Sequence, residues 1–150
     1  MDRFPANAHN TQPARYEFVL TNRVDDLTRL SEWINDLANQ LQISAKGVFR
    51  VELILEEAVT NIINYAYVDN EEHTIRVTLL YLDQTLTVEL RDDGIPFDPL
   101  QRPEVQLPKT LEEATEGGLG IHLIRSYVDE CHYQREADSN VLTLKILNWQ

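Results

Sequence analysis

Three short segments of the sequence carry residues that could do chemistry. In the first, Glu57 and Asn61 stand four residues apart in a stretch with a helical apolar period. This spacing places both side chains on one side of a helix, one turn apart. There a carboxylate and an amide oxygen together could polarise a hydroxyl or a water molecule and ligate a hard cation. On the helical wheel alone an ordinary solvent-facing surface is the better explanation, because Arg50 and Asn64 fall on the same side of the helix.

The other two segments contain glycines next to groups that can bind a ligand. Asp92 is followed by Gly94 at the end of a predicted strand, which would let a flat ligand approach the backbone, although Asp-Gly pairs are also typical of tight turns. Residues 116–124 form a glycine-rich turn that opens into an apolar helix. Unpaired amide donors and the helix dipole favour phosphate there, while close packing is the alternative reason for the glycines. Neither a P-loop nor a complete dinucleotide fingerprint is present.

The elements that must position these segments form one layered α+β domain. We expect a two-layer sandwich, with a mixed, mostly antiparallel sheet covered on one face by three helices. Alternation and helical periodicity predict the following elements: a strand over 14–21, a helix capped by Asp25 or Asp26 and running to about residue 42, a helix over 45–67, a hairpin of 74–82 and 85–92 turning at 83–84, a helix over 118–129, and a hairpin of 131–136 and 141–148 turning at 138–140.

A long segment between the first hairpin and the last helix does not fit a plain scaffold. It covers about 25 residues and holds four of the six prolines, with four of the five glycines at its ends. Loops longer than about 12–15 residues are usually functional or disordered, and prolines with hinge glycines suit a lid over a ligand. A tolerated surface insertion is the alternative. The polar residues 1–13 are predicted to form a mobile tail.

Composition limits the classes of partner and compartment. With 13 basic and 25 acidic side chains the formal charge is −12, which disfavours binding to nucleic acid. A single cysteine cannot form an internal disulfide, so we expect a reducing, cytoplasmic setting. There is no apolar run of about 18 residues and no apolar core of a signal peptide, so no membrane association is expected.

Taken in order, the three segments resemble the GHKL ATPase superfamily, and within it the anti-sigma factor serine/threonine kinases of bacterial partner-switching systems. Residues 56–61 resemble the N box of that superfamily, residues 92–97 its first glycine box, and residues 117–121 its second. The resemblance spans about residues 14 to 148. It implies the Bergerat, or histidine-kinase-like ATPase, fold.

The resemblance also implies a role for individual residues. Glu57 would be the general base, Asn61 would bind Mg²⁺, and Asp92 would accept a hydrogen bond from the adenine amino group. Residues 98–116 would form the ATP lid. The nucleotide contacts implied by the family are Asn61, Asp92, Gly94, Phe97, Lys109, Gly117, Gly118, Leu119 and Gly120.

The function implied by the resemblance is that of an ATP- and Mg²⁺-dependent serine/threonine kinase. It would phosphorylate an anti-anti-sigma protein of the STAS type and sequester a sigma factor or similar regulator, as a homodimer. Two alternatives stay open. One is a nucleotide-binding module that holds its partner with little turnover, and the other is a slow ATPase without a protein acceptor.

Overall fold

The computed structural model describes residues 12–101 and 124–150. Most of the predicted tail and lid, and all but the last part of the predicted third helix, lie outside these ranges; residues 124–127 are helical. The elements are β1 (Ala14–Thr21), α1 (Asp26–Leu41), α2 (Ala45–Tyr65), β2 (Thr74–Leu82), β3 (Thr85–Asp92), a 3-10 turn (Pro99–Gln101), β4 (Glu130–Glu136) and β5 (Ser139–Ile146).

The predicted two-layer α+β fold is confirmed. The strands form one sheet in the order β1-β2-β3-β5-β4, and all four pairings between the described strands are antiparallel, where a mixed sheet was expected. β3 lies at the centre of this sheet, and the β3–β5 register pairs its last residue, Asp92, with Asn140. Both side chains lie on the sheet face that the helices cover, and both are buried.

The core lies between α2 and the sheet. Alternate residues of β2, β3 and β5 point towards the helices, because successive side chains of a strand face opposite sides. α2 presents a broad apolar stripe to them. Each fully buried aliphatic side chain contributes about 1.5–3 kcal/mol relative to leaving it exposed, so α2 is held firmly on the sheet. The innermost residues are Val51, Leu55, Val59, Ile75, Val77, Leu79, Val88, Leu144 and Ile146, none of them measurably exposed.

One of the two predicted hairpin turns is correct and the other is displaced. Asp83 and Gln84 connect β2 to β3 with φ values of 51° and 63°, as a two-residue hairpin turn requires. The second turn is Ala137-Asp138, with Ala137 at φ 51°, and not residues 138–140. The prediction of Asn140 as a turn residue is therefore wrong: Asn140 belongs to β5, where pairing with β3 and β4 offsets its weak strand propensity.

The two long helices start differently from each other. Asp25 occupies the cap position of α1 but its side chain makes no capping bond. The Asp26 carboxylate accepts from the backbone nitrogen and hydroxyl of Thr21, both at 2.8 Å, so the predicted aspartate cap is wrong. α2 begins with an ordinary cap, in which the Ser44 hydroxyl accepts a hydrogen bond from the Gly47 backbone nitrogen at 3.2 Å.

Within the described ranges no helix combines the length and apolarity that crossing a membrane requires.

Candidate functional site

A narrow cavity lies between α2 and the ends of β3 and β5. Its volume is about 10 Å³, which is room for roughly one water molecule. A purine is far larger than this volume. The described lining residues are Ala58, Asn61, Ile62, Asp92, Phe97, Pro99, Ile124, Tyr133, Asn140 and Leu142.

Asn61 is buried in this cavity, and no described residue forms a hydrogen bond with its side chain. The side chain is 1% exposed, and within residues 12–101 and 124–150 neither the amide nitrogen nor the carbonyl oxygen has a partner. A buried polar group left unpaired costs about 1–3 kcal/mol, so such groups usually have a partner that the protein alone does not supply. The interpretation of this helix side as a solvent face is wrong for Asn61, because the cavity walls cover it. Its orphaned atoms fit a residue that contacts a ligand or a cation.

Asp92 brings a carboxylate to the opposite wall. It is 4% exposed, and its Oδ1 accepts from the Gly94 backbone nitrogen and from the Asn140 amide, both at 2.9 Å. Burial raises the pKa of Asp92 and the negative charge of Asp93 adds to this, while the two hydrogen bonds and Arg135 act against it. Among the described residues no donor contacts Oδ2. The side chain therefore keeps one acceptor atom for a ligand.

Asn140 is a site residue that the sequence interpretation missed. It was assigned to a turn because Asp, Ser and Asn cluster there. Residues 140, 142, 144 and 146 share a period of two and all are buried, so extending the strand alternation backwards would have placed Asn140 on the helix-facing side. Its side chain lies between Asp92 and strand β4.

Gly94 is required by packing on the end of α2. The backbone nitrogen of Ile95 donates to the carbonyl oxygen of Ala66 at 2.8 Å, which fastens the turn after β3 to the helix. A Cβ atom at Gly94 would lie 2.4 Å from that oxygen and 2.6 Å from the Ala66 methyl carbon. The glycine thus sets how closely the Asp92 turn approaches α2, in addition to any contact with a ligand.

Substituting Gly94 by alanine is expected to destabilise the protein by about 1–3 kcal/mol, the range for overpacking a close contact. Urea unfolding measures this. Ala66→Gly in the Gly94→Ala background should recover only part of the loss, because it removes the methyl contact but leaves the shorter contact with the oxygen. A change below about 0.5 kcal/mol in Gly94→Ala, the range of neutral surface substitutions, would contradict the close packing.

Glu57 lies on α2 one turn before Asn61 and is half-buried, outside the described lining of the cavity. Burial raises the pKa of its carboxyl, and the neighbouring charge of Glu56 raises it further. A carboxylate with a raised pKa is a stronger base than an exposed one. Glu57 is therefore a candidate for proton transfer, and not a residue of the described cavity wall.

The remaining predicted site residues fall into two groups. Phe97 lines the cavity, stacks on Tyr65 with ring centroids 5.7 Å apart, and donates its backbone nitrogen to Asn140 at 3.1 Å. Tyr67, which was not predicted, has a buried hydroxyl for which the described residues supply no partner, and burial together with the nearby Asp92 charge raises the pKa of this hydroxyl. Lys109, Gly117, Gly118, Leu119 and Gly120 lie outside the described residues.

Two solved structures share the fold of this chain. The RsbU and RsbW domains of Rv1364c from Mycobacterium tuberculosis match 89% of this chain and 32% of that longer chain, with a TM-score of 0.62 and 11% sequence identity. The blue-light activated histidine kinase of Erythrobacter litoralis EL346 matches 81% of this chain and 41% of its own, with a TM-score of 0.53 and 16% identity. The chain therefore has the fold of histidine kinase ATPase domains.

The family follows from the sequence. The histidine kinase-like ATPase domain family matches residues 20–146, and the chain belongs to this family. The serine/threonine-protein kinase BtrW of Bordetella bronchiseptica is 30% identical over 112 residues, 75% of this chain and 79% of that protein. The serine-protein kinase RsbW of Listeria monocytogenes is 28% identical over 140 residues, 91% of this chain and 84% of that protein. The resemblance inferred from the three segments is confirmed.

Proposed function

We propose that the protein is an ATP-dependent serine/threonine kinase that phosphorylates an anti-anti-sigma partner of the STAS type and sequesters a sigma factor or a similar regulator. The observation that carries the nucleotide site is the pair of unsatisfied polar groups in one cavity: the orphaned Asn61 amide and the Asp92 oxygen that no described donor contacts. The names of the relatives support the kinase class.

Asp92 would read the base. Its Oδ2 can accept a hydrogen bond from the exocyclic amine of adenine. Guanine carries a carbonyl at that position, and a carboxylate facing a carbonyl would leave two buried acceptors without a proton between them. Sites built on such a hydrogen bond reject the mismatched analogue strongly. We therefore expect adenine nucleotides to bind and guanine nucleotides to be excluded.

Asn61 would hold the metal that accompanies the triphosphate. A neutral amide oxygen suits Mg²⁺, but Mg²⁺ is usually bound through one or two protein oxygens together with substrate phosphates and water. When bound, the ion would neutralise charge on the phosphate oxygens. The Oδ1 of Asn61 fits this role, because no residue in the described part of the chain competes for it with a hydrogen bond.

Glu57 would act on the acceptor serine. The serine oxygen attacks the γ-phosphorus of ATP, and the bond between that phosphorus and the β–γ bridging oxygen breaks, so that ADP leaves. The hydroxyl proton passes to the Glu57 carboxylate. Positioning and electrostatics supply most of the acceleration in such transfers, with the base orienting the nucleophile.

The test is phosphoryl transfer from labelled ATP to candidate STAS-type proteins, each paired with a variant that has alanine at its acceptor serine. We expect label on the serine protein and none on its alanine variant. Nucleotide binding without transfer to any candidate would contradict the kinase function. Phosphate release that is the same with and without the partner would instead identify an ATPase without a protein acceptor.

A second candidate function is a binding module that sequesters its partner with little turnover. It is favoured by the charge of residues 98–116, where Arg102 and Lys109 are outnumbered by acidic residues, an excess of negative charge that would disfavour a triphosphate. The acidic residues are Asp98, Glu104, Glu112, Glu113 and Glu116. This function predicts that partner capture persists, with no measurable transfer, in both the wild-type protein and Glu57→Gln.

A further inference from the structure

We propose that Asn140 is a positioning residue for nucleotide recognition: it fixes the Asp92 carboxylate so that Oδ2 faces the base. This inference rests on the proposed nucleotide site and adds a residue on β5 to it. Asn140 is 3% exposed and lines the same cavity as Asp92 and Asn61. The β3–β5 register places it directly opposite Asp92.

The side chain of Asn140 uses both ends of its amide. The nitrogen donates to two acceptors and the oxygen accepts from three donors, so the orientation of the amide is determined by its surroundings. One residue thereby joins the end of β3, the turn after it and strand β4. The contacts are Nδ2 to Asp92 Oδ1 at 2.9 Å and to Ile95 O at 2.7 Å, and to Oδ1 from Phe97 N at 3.1 Å, from Arg135 Nη1 at 3.2 Å and from the Tyr133 hydroxyl.

The consequence for Asp92 is geometric. Gly94 and Asn140 both donate to Oδ1, which fixes the carboxylate plane and leaves Oδ2 as the acceptor for a ligand. Arg135 strengthens the same arrangement, since its Nη1 also donates to the Gly94 carbonyl oxygen at 2.8 Å. A residue without a donor at position 140 would allow the carboxylate to rotate and would leave Oδ1 with a single donor.

The described elements that pack around Asp92 and Asn140 contribute the following charged and polar groups. Arg135 and Tyr133 face it from β4, Asp93 follows β3, and Tyr67 follows α2, while α2 itself presents the neutral Asn61. A second carboxyl at position 140 would meet the Asp92 carboxylate, and the cation that the described residues place nearby, Arg135, is shared with the Gly94 carbonyl oxygen. Two adjacent buried carboxylates cannot both ionise readily and share one proton instead.

This gives a test with a distinctive pH dependence. In Asn140→Asp, a protonated carboxyl at position 140 can still donate to Asp92 Oδ1, whereas an ionised one repels it. We expect the ADP affinity of Asn140→Asp to lie at most about tenfold below that of wild type near pH 5, and about a hundredfold below it near pH 8. Titration calorimetry at matched pH values measures both affinities. Dividing the affinity of the variant by that of wild type at the same pH removes the effect of phosphate protonation, which is common to both proteins.

Matched variants separate positioning from folding. Asn70→Asp makes the same chemical change at an exposed turn and should leave the affinity ratio near one at every pH. Asn140→Leu, which has no donor, should weaken ADP binding about tenfold to a hundredfold at every pH. Thermal unfolding at each pH identifies the fraction that is folded, and affinities are compared only for that fraction.

The outcomes distinguish this inference from the proposed function. Wild-type protein that binds ADP, together with an Asn140→Asp ratio that is constant with pH, would overturn the positioning role and leave the nucleotide site intact. Asn140→Leu with unchanged affinity would do the same. Wild-type protein that binds no adenine nucleotide would overturn the proposed function and this inference with it.

Discussion

Replacing Asp92 by asparagine is expected to reduce the affinity for ATP and ADP by a hundredfold or more. The change keeps the shape of the side chain and can keep both contacts at Oδ1. It places an amide donor where Oδ2 was, opposite the amine donor of adenine. Two donors that face each other in a buried site cannot form the hydrogen bond, and both groups are left unsatisfied. A hundredfold loss of affinity corresponds to a penalty of about 2.7 kcal/mol.

The same substitution should not unfold the protein. Burial raises the folded-state pKa of Asp92 above its ordinary value. A carboxyl with a raised pKa contributes stability that is complete below its unfolded pKa and is lost as the pH rises through its folded pKa. At neutral pH the ionised form therefore opposes folding. We expect Asp92→Asn to be at least as stable as wild type to urea at pH 7, and to lack the gain in stability that Asp92 protonation gives at acid pH.

Asp93→Asn is the matched control. It removes the same charge one residue away, at a side chain that is 59% exposed and contacts His73. Calorimetry should show nucleotide affinity within about threefold of wild type for this variant, as expected for an exposed charge. Equal losses in Asp92→Asn and Asp93→Asn would mean that local charge, and not the buried acceptor, controls binding.

Replacing Glu57 by glutamine is expected to lower phosphoryl transfer about 10²–10⁴-fold, the usual contribution of a general base. Glutamine has nearly the same size but cannot take a proton. Nucleotide affinity should change little, because Glu57 lies outside the described lining of the cavity. Single-turnover transfer with labelled ATP and calorimetry with ADP measure the two effects separately.

The pH dependence of transfer follows from the raised pKa of Glu57. Burial is the main cause, and the charge of Glu56 is the second. The base must be ionised, so transfer should rise with pH through the folded-state pKa of Glu57 and be lost below it. Glu56→Gln removes the like charge, so it should shift the acid limb of this profile to lower pH while the plateau rate changes little.

Glu56→Gln is also the control for Glu57→Gln, because it makes the same chemical change at an exposed residue of the same helix. A Glu57→Gln protein that transfers phosphate at the wild-type rate would exclude Glu57 as the base. A profile that does not move in Glu56→Gln would exclude Glu57 as the group that sets the acid limb.

Local patterns in the sequence were enough to predict most of the fold. The first hairpin was predicted to the residue because Asp83-Gln84 separates two clear runs of strand residues. The ends of α1 and α2 agree to within two residues, because their apolar stripes are long. The start of α1 was explained wrongly, since the Asp26 carboxylate bonds to Thr21 of β1. This bond spans only five residues, across the connection between β1 and α1, but the residue types alone do not distinguish it from a helix cap.

The site was predictable in part. Residue types and order indicated Glu57, Asn61 and Asp92, but a helical wheel could not decide whether Asn61 faced solvent. Its burial comes from the cavity walls, which other segments of the chain supply. Asn140 was missed for a similar reason. Its propensity favours a turn, and only the β3–β5 register, a long-range pairing, shows that it lies opposite Asp92.

The most direct measurement is a crystal structure of the protein grown with magnesium and a non-hydrolysable ATP analogue. The prediction is an adenine amine within about 3 Å of Asp92 Oδ2, with the metal ligated by Asn61 Oδ1. A nucleotide whose amine points away from Asp92, one bound at another surface, or a cavity without nucleotide at saturating concentration would contradict the proposed site.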